Sequence, residues 1–194
     1  MHTDSPETAY LNLLRNEQDI NLWSAFKSGN RNAFAELFKK YYTALFQYGI
    51  KLCPDSQAVE DCIQELFIEL WQSKTSQPVQ SVKAYLFKAT RYKVFKWLAG
   101  NKAREKNSKI PAGDMTFEIS PETFLIEQQD DDQKRQRILA AINSLPDRQK
   151  EIIYLKIFKN LSYDDVNEIM DINYQVARNL FSQSIKSLRT ILSE

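Results

Sequence analysis

The chain has 194 residues, of which 43% are hydrophobic and 26% charged, enough to bury the core of one or two modest domains. Its 26 basic and 25 acidic residues leave a net charge of +1, so any affinity for nucleic acid must come from how the charge is distributed. Four glycines and six prolines supply little turn material, which excludes a strand-rich sandwich and favours long helices with few loops.

Other classes fall away on similar grounds. Cys53 and Cys62 make no CxxC pair, and His2 is the single histidine, so the set of about four ligands that zinc needs is missing. Both cysteines are expected as buried free thiols of a reducing compartment. Met1 to Asn12 has no apolar core of signal-peptide length, and no window approaches the ~18 apolar residues of a membrane span. The expected location is the cytoplasm, with no metal and no cofactor.

The first helical signal surrounds Leu22 and Phe26 and ends at Ser28-Gly29-Asn30, after an expected N-terminal tail over residues 1–20. Asn30 can cap a second helix, whose apolar positions Phe34, Leu37, Phe38, Tyr41, Leu45 and Tyr48 share a face. Cys53-Pro54 ends it, because proline disfavours helical geometry in the residue before it. Asp55 or Ser56 caps a third helix with Val59, Ile63, Leu66, Phe67, Leu70 and Trp71 at helical spacing. After Ser76-Gln77-Pro78 a fourth helix is predicted from about Val82 to Ala99. In it Tyr85, Phe87, Tyr92, Phe95 and Trp97 are interleaved with Lys88, Arg91, Lys93 and Lys96. Basic groups attract phosphates and aromatic faces accept unstacked bases, a combination suited to single-strand capture. At least half of those aromatics are expected in the core.

Charge then switches abruptly. Arg91 to Lys109 holds seven basic residues and one acid, whereas Ile110 to Asp132 holds seven acids (Asp114, Glu118, Glu122, Glu127, Asp130, Asp131, Asp132) and no base. The second stretch lacks periodicity and contains Pro111, Gly113 and Pro121, so Gly100 to about Asp130 is predicted as a linker, flexible or irregular, between two helical domains.

Helical signals resume near Asp132 with Ile138, Leu139 and Ile142, break at Pro146, and continue through Ile152, Ile153, Leu155 and Ile157. Ser144 or Asp147 is expected to cap that second helix. Ser162 and Asp165 then form an N-terminal helix signature. The short helix that follows, a turn at Asp171-Ile172-Asn173 and a last helix from about Tyr174 to Leu192 have helix-turn-helix dimensions. Val166, Ile169, Ile172, Val176 and Leu180 are expected to face inward. The last helix carries Arg178, Lys186 and Arg189 and no acid. Residues near the N-terminus of such a helix face base edges in the major groove, where Gln and Asn pair with adenine and Arg with guanine. Those candidates are Tyr174, Gln175, Arg178, Asn179, Ser182 and Gln183.

Leu145-Pro146-Asp147-Arg148-Gln149, Leu161-Ser162-Tyr163-Asp164-Asp165-Val166 and Lys186-Ser187-Leu188-Arg189 together resemble region four of sigma-70-type factors, nearest to the extracytoplasmic-function subgroup. Ala33-Phe34, Leu37-Phe38, Tyr41-Tyr42, Glu60 to Phe67, Leu70-Trp71 and Ala84 to Phe87 resemble region two. The resemblance implies an all-α, non-enzymatic initiation factor of two helical domains joined by a flexible linker. Its parts would be a region-two-like domain over residues 21–100, a linker over 101–131 and a region-four-like domain over 132–194. It implies core RNA polymerase and promoter DNA as partners, an anti-sigma protein associated with the membrane, and no small-molecule substrate. Asp61, Gln64, Glu65 and Trp71 would meet the polymerase, Arg91, Tyr92, Lys93 and Lys96 the melted minus-ten strand, and the last helix the minus-thirty-five duplex. The acidic linker would lie in the polymerase's RNA path, against the alternative of a plain tether.

Three positions depart from the family pattern: Tyr92 follows Arg91 where Asn is common, Asn167 replaces Ala and Asp171 replaces Gly. Asp still tolerates left-handed backbone at the turn. Two other readings weigh against this one: a helix-turn-helix regulator acting without polymerase, and a protein-interaction module. The first leaves the region-two motifs idle, and the second leaves the basic face idle.

Overall fold

The structure, a computed structural model, describes residues 6–73, 79–105, 117–121 and 132–193; for 6–13, 15, 102–105 and 132 it describes the backbone alone. Among the described residues there is no strand, as expected of an all-α chain. Eight helices follow in order: α1 (Pro6–Lys27), α2 (Arg31–Leu52), α3 (Ser56–Gln72), α4 (Val82–Glu105), α5 (Asp132–Asn143), α6 (Asp147–Ile153), α7 (Tyr163–Met170) and α8 (Tyr174–Ser193). A wider π-helical turn, Tyr154–Phe158, prolongs α6 without a break.

Local chemistry explains most boundaries. The Asn30 side chain accepts from the Asn32 and Ala33 amides, and the Asp55 side chain from the Ala58 amide, each satisfying donors that a helix start leaves open. Ser81 Oγ does the same for the Ala84 amide at the head of α4. α2, α3 and α4 then bury one stripe each, including Leu37, Leu45, Tyr48, Val59, Ile63, Leu66, Val82, Leu86 and Phe87. Trp23, Phe26, Phe34, Phe38, Phe67 and Trp71 form a continuous ring cluster where α1 meets α2 and α3. Asp19 is drawn into this wall because it accepts hydrogen bonds from Lys40 and the Tyr41 hydroxyl. Cys53 and Cys62 are free and buried, and burial pushes the Cys62 thiol up to about 11.

Gly49 shows how tightly α2 and α3 are fitted. A Cβ there would stand 2.5 Å from Val59 Cγ1, on a fully buried side chain that is stiff about χ1. Gly49→Ala therefore gains about 1 kcal/mol of helix propensity but incurs about 1–3 kcal/mol of overpacking, for a net loss. Urea unfolding of both variants in wild-type and Val59→Ala backgrounds checks the cause: the penalty disappears once Val59 is shortened. Equal penalties in the two backgrounds would contradict it.

Several sequence expectations change. α1 begins at Pro6, inside the expected tail, and α4 runs past Gly100 to Glu105. The position before α6 is Pro146, which offers no side-chain cap; Ser144 instead donates to the Ala141 carbonyl, and Asp147 accepts from the Phe117 amide. The expected linker is anchored in part. Phe117 and Ile119 are buried, and Asn143 both donates to the Ile119 carbonyl and accepts from the Ile119 amide. The Glu118 amide reaches the Lys51 carbonyl on α2, so this short piece is tied to both halves of the chain. Asp114, Glu122, Glu127, Asp130 and Asp131, which carry most of the expected linker charge, lie outside the described residues.

The two halves also pack on each other. Glu151 to Leu155 are five consecutive buried residues, a helix segment covered all round rather than on one face. α8 covers one side and α2 and α4 the other. Tyr154 stacks on Tyr48 with ring centroids 6.1 Å apart, and Phe117 meets Tyr154 edge-on at 5.7 Å. Lys83 donates to the Lys159 carbonyl at 2.8 Å, and Lys159 to Gln47 Oε1 at 2.9 Å. Burial, with the charges of Lys51 and Lys83 added, lowers the Lys159 pKa to about 8.

Candidate nucleic-acid interface

The C-terminal interface is built by a cap, a turn and a second cap. Ser162 and Asp165 close the expected capping box: the Asp165 amide donates to Ser162 Oγ at 3.0 Å and the Ser162 amide to Asp165 Oδ2 at 3.1 Å. α7 ends on Asp171 in the left-handed region (φ 53°, ψ 52°), which the aspartate tolerates as anticipated. Asn173 Oδ1 accepts from the Val176 amide at 2.8 Å and so fixes where α8 starts. The inward stripe of α8 is Ala177, Ser184 and Leu188, with Leu180 half-buried. Val176, expected inside, is 43% exposed; packing of α8 against α5, α6 and α7 turns Ala177 inward instead.

That packing leaves Tyr174, Gln175, Arg178, Asn179, Ser182 and Gln183 all exposed along one face. From Tyr174 to Ser182 the face spans about 12 Å at 1.5 Å per residue, comparable with the major-groove width of about 12 Å. The side chains are partly ordered among themselves. Gln175 Nε2 donates to Asn179 Oδ1 at 2.9 Å, and the Arg178 guanidinium lies 5.9 Å from the Tyr174 ring centre. Tyr163 of α7 holds Tyr174 edge-on at 5.8 Å. The surface offers donors, acceptors and positive charge without one carboxylate.

On α4 the four expected contacts divide into two pairs. Tyr92, at 66% exposure, and Lys96 are open to solvent. Lys93 is buried and lies between Glu65 and Glu69 of α3 at 3.0 and 2.9 Å. Burial works against its charge, but hydrogen bonds to Glu69 and Glu65 outweigh that and raise its pKa. Arg91 is half-buried, with its guanidinium carbon 4.3 Å from the Phe95 ring centre, and donates through Nε to Glu151 Oε1 at 2.8 Å. Among the aromatics, Phe87 is fully buried, and Tyr85, Phe95 and Trp97 pack against the core.

On α3, Asp61, Gln64 and Glu65 form an exposed polar strip, with Gln57 donating to Asp61 at 3.1 Å. Trp71 is 41% exposed while its ring contacts Phe34 and Phe26. The sequence reading missed Ile68. It is 54% exposed, one turn beyond Gln64 and Glu65 and one before Trp71 and Gln72. Its signal was legible as a large aliphatic out of phase with the buried stripe of α3. Among the described residues no three His, Cys, Asp or Glu side chains are grouped to hold a metal.

Comparison with known proteins agrees with this geometry. Residues 37–104 match the family model described as Sigma-70 region 2, and residues 135–188 the model described as Sigma-70, region 4. The chain is 24% identical over 168 residues to the RNA polymerase sigma-H factor of Pseudomonas aeruginosa, spanning 81% of this chain and 85% of that one. It is 22% identical over 167 residues to the ECF RNA polymerase sigma factor SigK of Mycobacterium sp. strain JLS, at 83% of each chain. Two solved structures share the fold. One is sigma factor RpoE with anti-sigma factor NepR from Bartonella quintana (TM-score 0.61, 22% identity, 82% of this chain and 96% of that). The other is CnrH with the cytosolic domain of CnrY (TM-score 0.58, 17% identity, 90% and 97%).

Proposed function

Since the chain belongs to the sigma-70 family, as an RNA polymerase sigma factor of the extracytoplasmic-function type that serves transcription initiation, we propose how its surfaces divide that work. The upstream, minus-thirty-five duplex is read by α8 through Tyr174, Gln175, Arg178, Asn179, Ser182 and Gln183. The single observation that carries this reading is that all six are exposed on one acid-free face behind a fixed cap. Arg178 pairs with guanine, and Gln175 and Asn179 with adenine.

The melted minus-ten strand meets α4. Tyr92 stacks a base, Lys96 and Arg91 hold phosphates, and Lys93 fixes α4 against α3 through Glu65 and Glu69. Core polymerase docks on the α3 strip of Asp61, Gln64 and Glu65, with Ile68 and Trp71 supplying its apolar centre. The functional units are residues 21–100 with the tail of α4, and 132–194, joined by 101–131. The family is non-enzymatic, and the polymerase carries the chemistry. We place the protein in the cytoplasm, and no described helix is long and apolar enough to cross a membrane. An anti-sigma protein, tethered to the membrane, is its regulatory partner; in support, one solved neighbour is bound to the anti-sigma factor NepR and the other to the cytosolic domain of CnrY.

Charge reversal tests the docking strip. Asp61→Arg lowers the association rate with core polymerase, most strongly at low salt, because rim charges act mainly on encounter. The isolated duplex-binding activity of the same variant stays at the wild-type level. Association rates that match wild type at every salt concentration would remove Asp61 from the interface.

A further inference from the structure

We infer that Glu151 is an interdomain latch that holds the free chain closed and masks Arg91 on its strand-binding face, so that single-stranded promoter DNA competes with a residue of the chain itself for that guanidinium. The inference rests on the reading of α4 as the strand face. Glu151 belongs to α6 of the C-terminal half, yet both partners given for its carboxylate lie in the N-terminal half. Oε1 accepts from the Tyr48 hydroxyl of α2 at 2.6 Å and from Arg91 Nε of α4 at 2.8 Å, and Oε2 lies 3.4 Å from Arg91 Nη2. The carboxylate is only 2% exposed. A charge so placed needs its partners, because a buried carboxylate stripped of them is strongly destabilising.

The contact also competes with a phosphate. The Nε and Nη2 side of the guanidinium faces the Glu151 carboxylate, so a phosphate that takes this side in a bidentate grip must displace Glu151. α7 packs along the same helix, and an open polar cleft of about 500 Å³ between them is lined by Lys88 of α4 and by Asp164 and Glu168 of α7. Acids of the C-terminal half therefore stand beside Lys88, one turn before Arg91 and Tyr92 on α4. The Tyr48–Tyr154 stack and Phe117 close the apolar side of the same seam. Opening it exchanges Glu151 for a phosphate on Arg91, which links release of the C-terminal half to capture of the strand. Tyr48 stays a donor throughout, since burial and the neighbouring Glu151 raise its pKa well above the ordinary range.

Two readouts on the full chain test this. Lys39 and Thr190 are exposed on α2 and α8, so Lys39→Cys and Thr190→Cys carry spin labels for interdomain distances without touching any proposed contact. Fluorescence anisotropy with a labelled, mixed-sequence single-stranded oligodeoxynucleotide reads strand affinity without polymerase. Glu151→Gln, which keeps the side chain's volume, shifts the distances to longer values and raises strand affinity about tenfold, as expected if about a tenth of the wild-type chain is open. Tyr48→Phe, which leaves Arg91 in place, moves both readouts the same way by less, and serves alone if Glu151→Gln loses helical content. Unchanged distances in the folded variants overturn the latch. Longer distances with unchanged affinity overturn the masking. Lys96→Ala in the opened variant then separates the two readings: a loss of affinity upholds α4 as the strand face, and no loss removes that reading as well.

Discussion

Ile68→Asp lowers the affinity of the chain for core polymerase by about thirtyfold or more, while helical content, melting temperature and duplex binding by α8 stay as in wild type. The size follows from position. An aliphatic side chain at the centre of a docking strip, ringed by polar residues, contributes about 2 kcal/mol or more once water is excluded around it. A carboxylate there must be desolvated without a partner, which adds to the loss. The fold is spared because Ile68 is 54% exposed and points away from the stripe formed by Ile63, Leu66, Phe67 and Leu70. Titration of labelled core polymerase with wild type and variant measures it directly. Affinity within a factor of two of wild type would make Ile68 a stray surface residue.

Arg178→Ala weakens binding to the minus-thirty-five duplex by about 5- to 150-fold, the equivalent of about 1–3 kcal/mol for one bidentate base contact. The side chain is exposed and makes a long approach to Tyr174 at 5.9 Å, so the domain keeps its stability. The loss is greatest on the preferred sequence and small on unrelated duplex, because a base contact carries specificity and a phosphate contact does not. A uniform loss across sequences, with a shallower salt dependence, would reassign Arg178 to a phosphate.

Those two residues mark what was legible in the sequence and what was not. The helices were, because their buried stripes repeat at helical spacing and Asn30, Asp55 and Ser162 announce three of their starts. The exposed face of α8 was legible as well, since an acid-free helix after a capped turn has few ways to face outward. Its inner face was harder. Ala177 is too small to stand out beside Val176, and the deciding phase comes from packing of α8 against α5, α6 and α7. Phe117 and Ile119 sit as isolated apolar residues in an acidic stretch without periodicity, so nothing local marks them as anchors. Arg91 and Lys93 were identified by charge, but their partners are distant in sequence. Glu151 is sixty residues from Arg91, and a pairing of that range leaves no trace in spacing. The start of α1 at Pro6 escaped notice because its first turns carry no sustained apolar stripe.

Arg91 ties the strand face to the interdomain seam. The same guanidinium that resembles a promoter contact closes the chain on itself through Glu151. On the proposed division of surfaces, the free chain exposes the α8 face and the α3 strip and withholds Arg91. Ile68, Asp61 and the α8 face remain open to solvent while Arg91 is engaged. Recruitment by polymerase would then precede strand capture.

Separate docking and reading faces would let this chain confer promoter choice on core polymerase. Run-off transcription with core polymerase on a genomic fragment library, with transcript 5′ ends mapped, tests it most directly. Wild type yields a defined set of start sites sharing an upstream element. Ile68→Asp abolishes the whole set, and Arg178→Ala weakens it in proportion to the match at that element. Start sites that are the same with and without the protein, or a set unaffected by either substitution, would contradict the account.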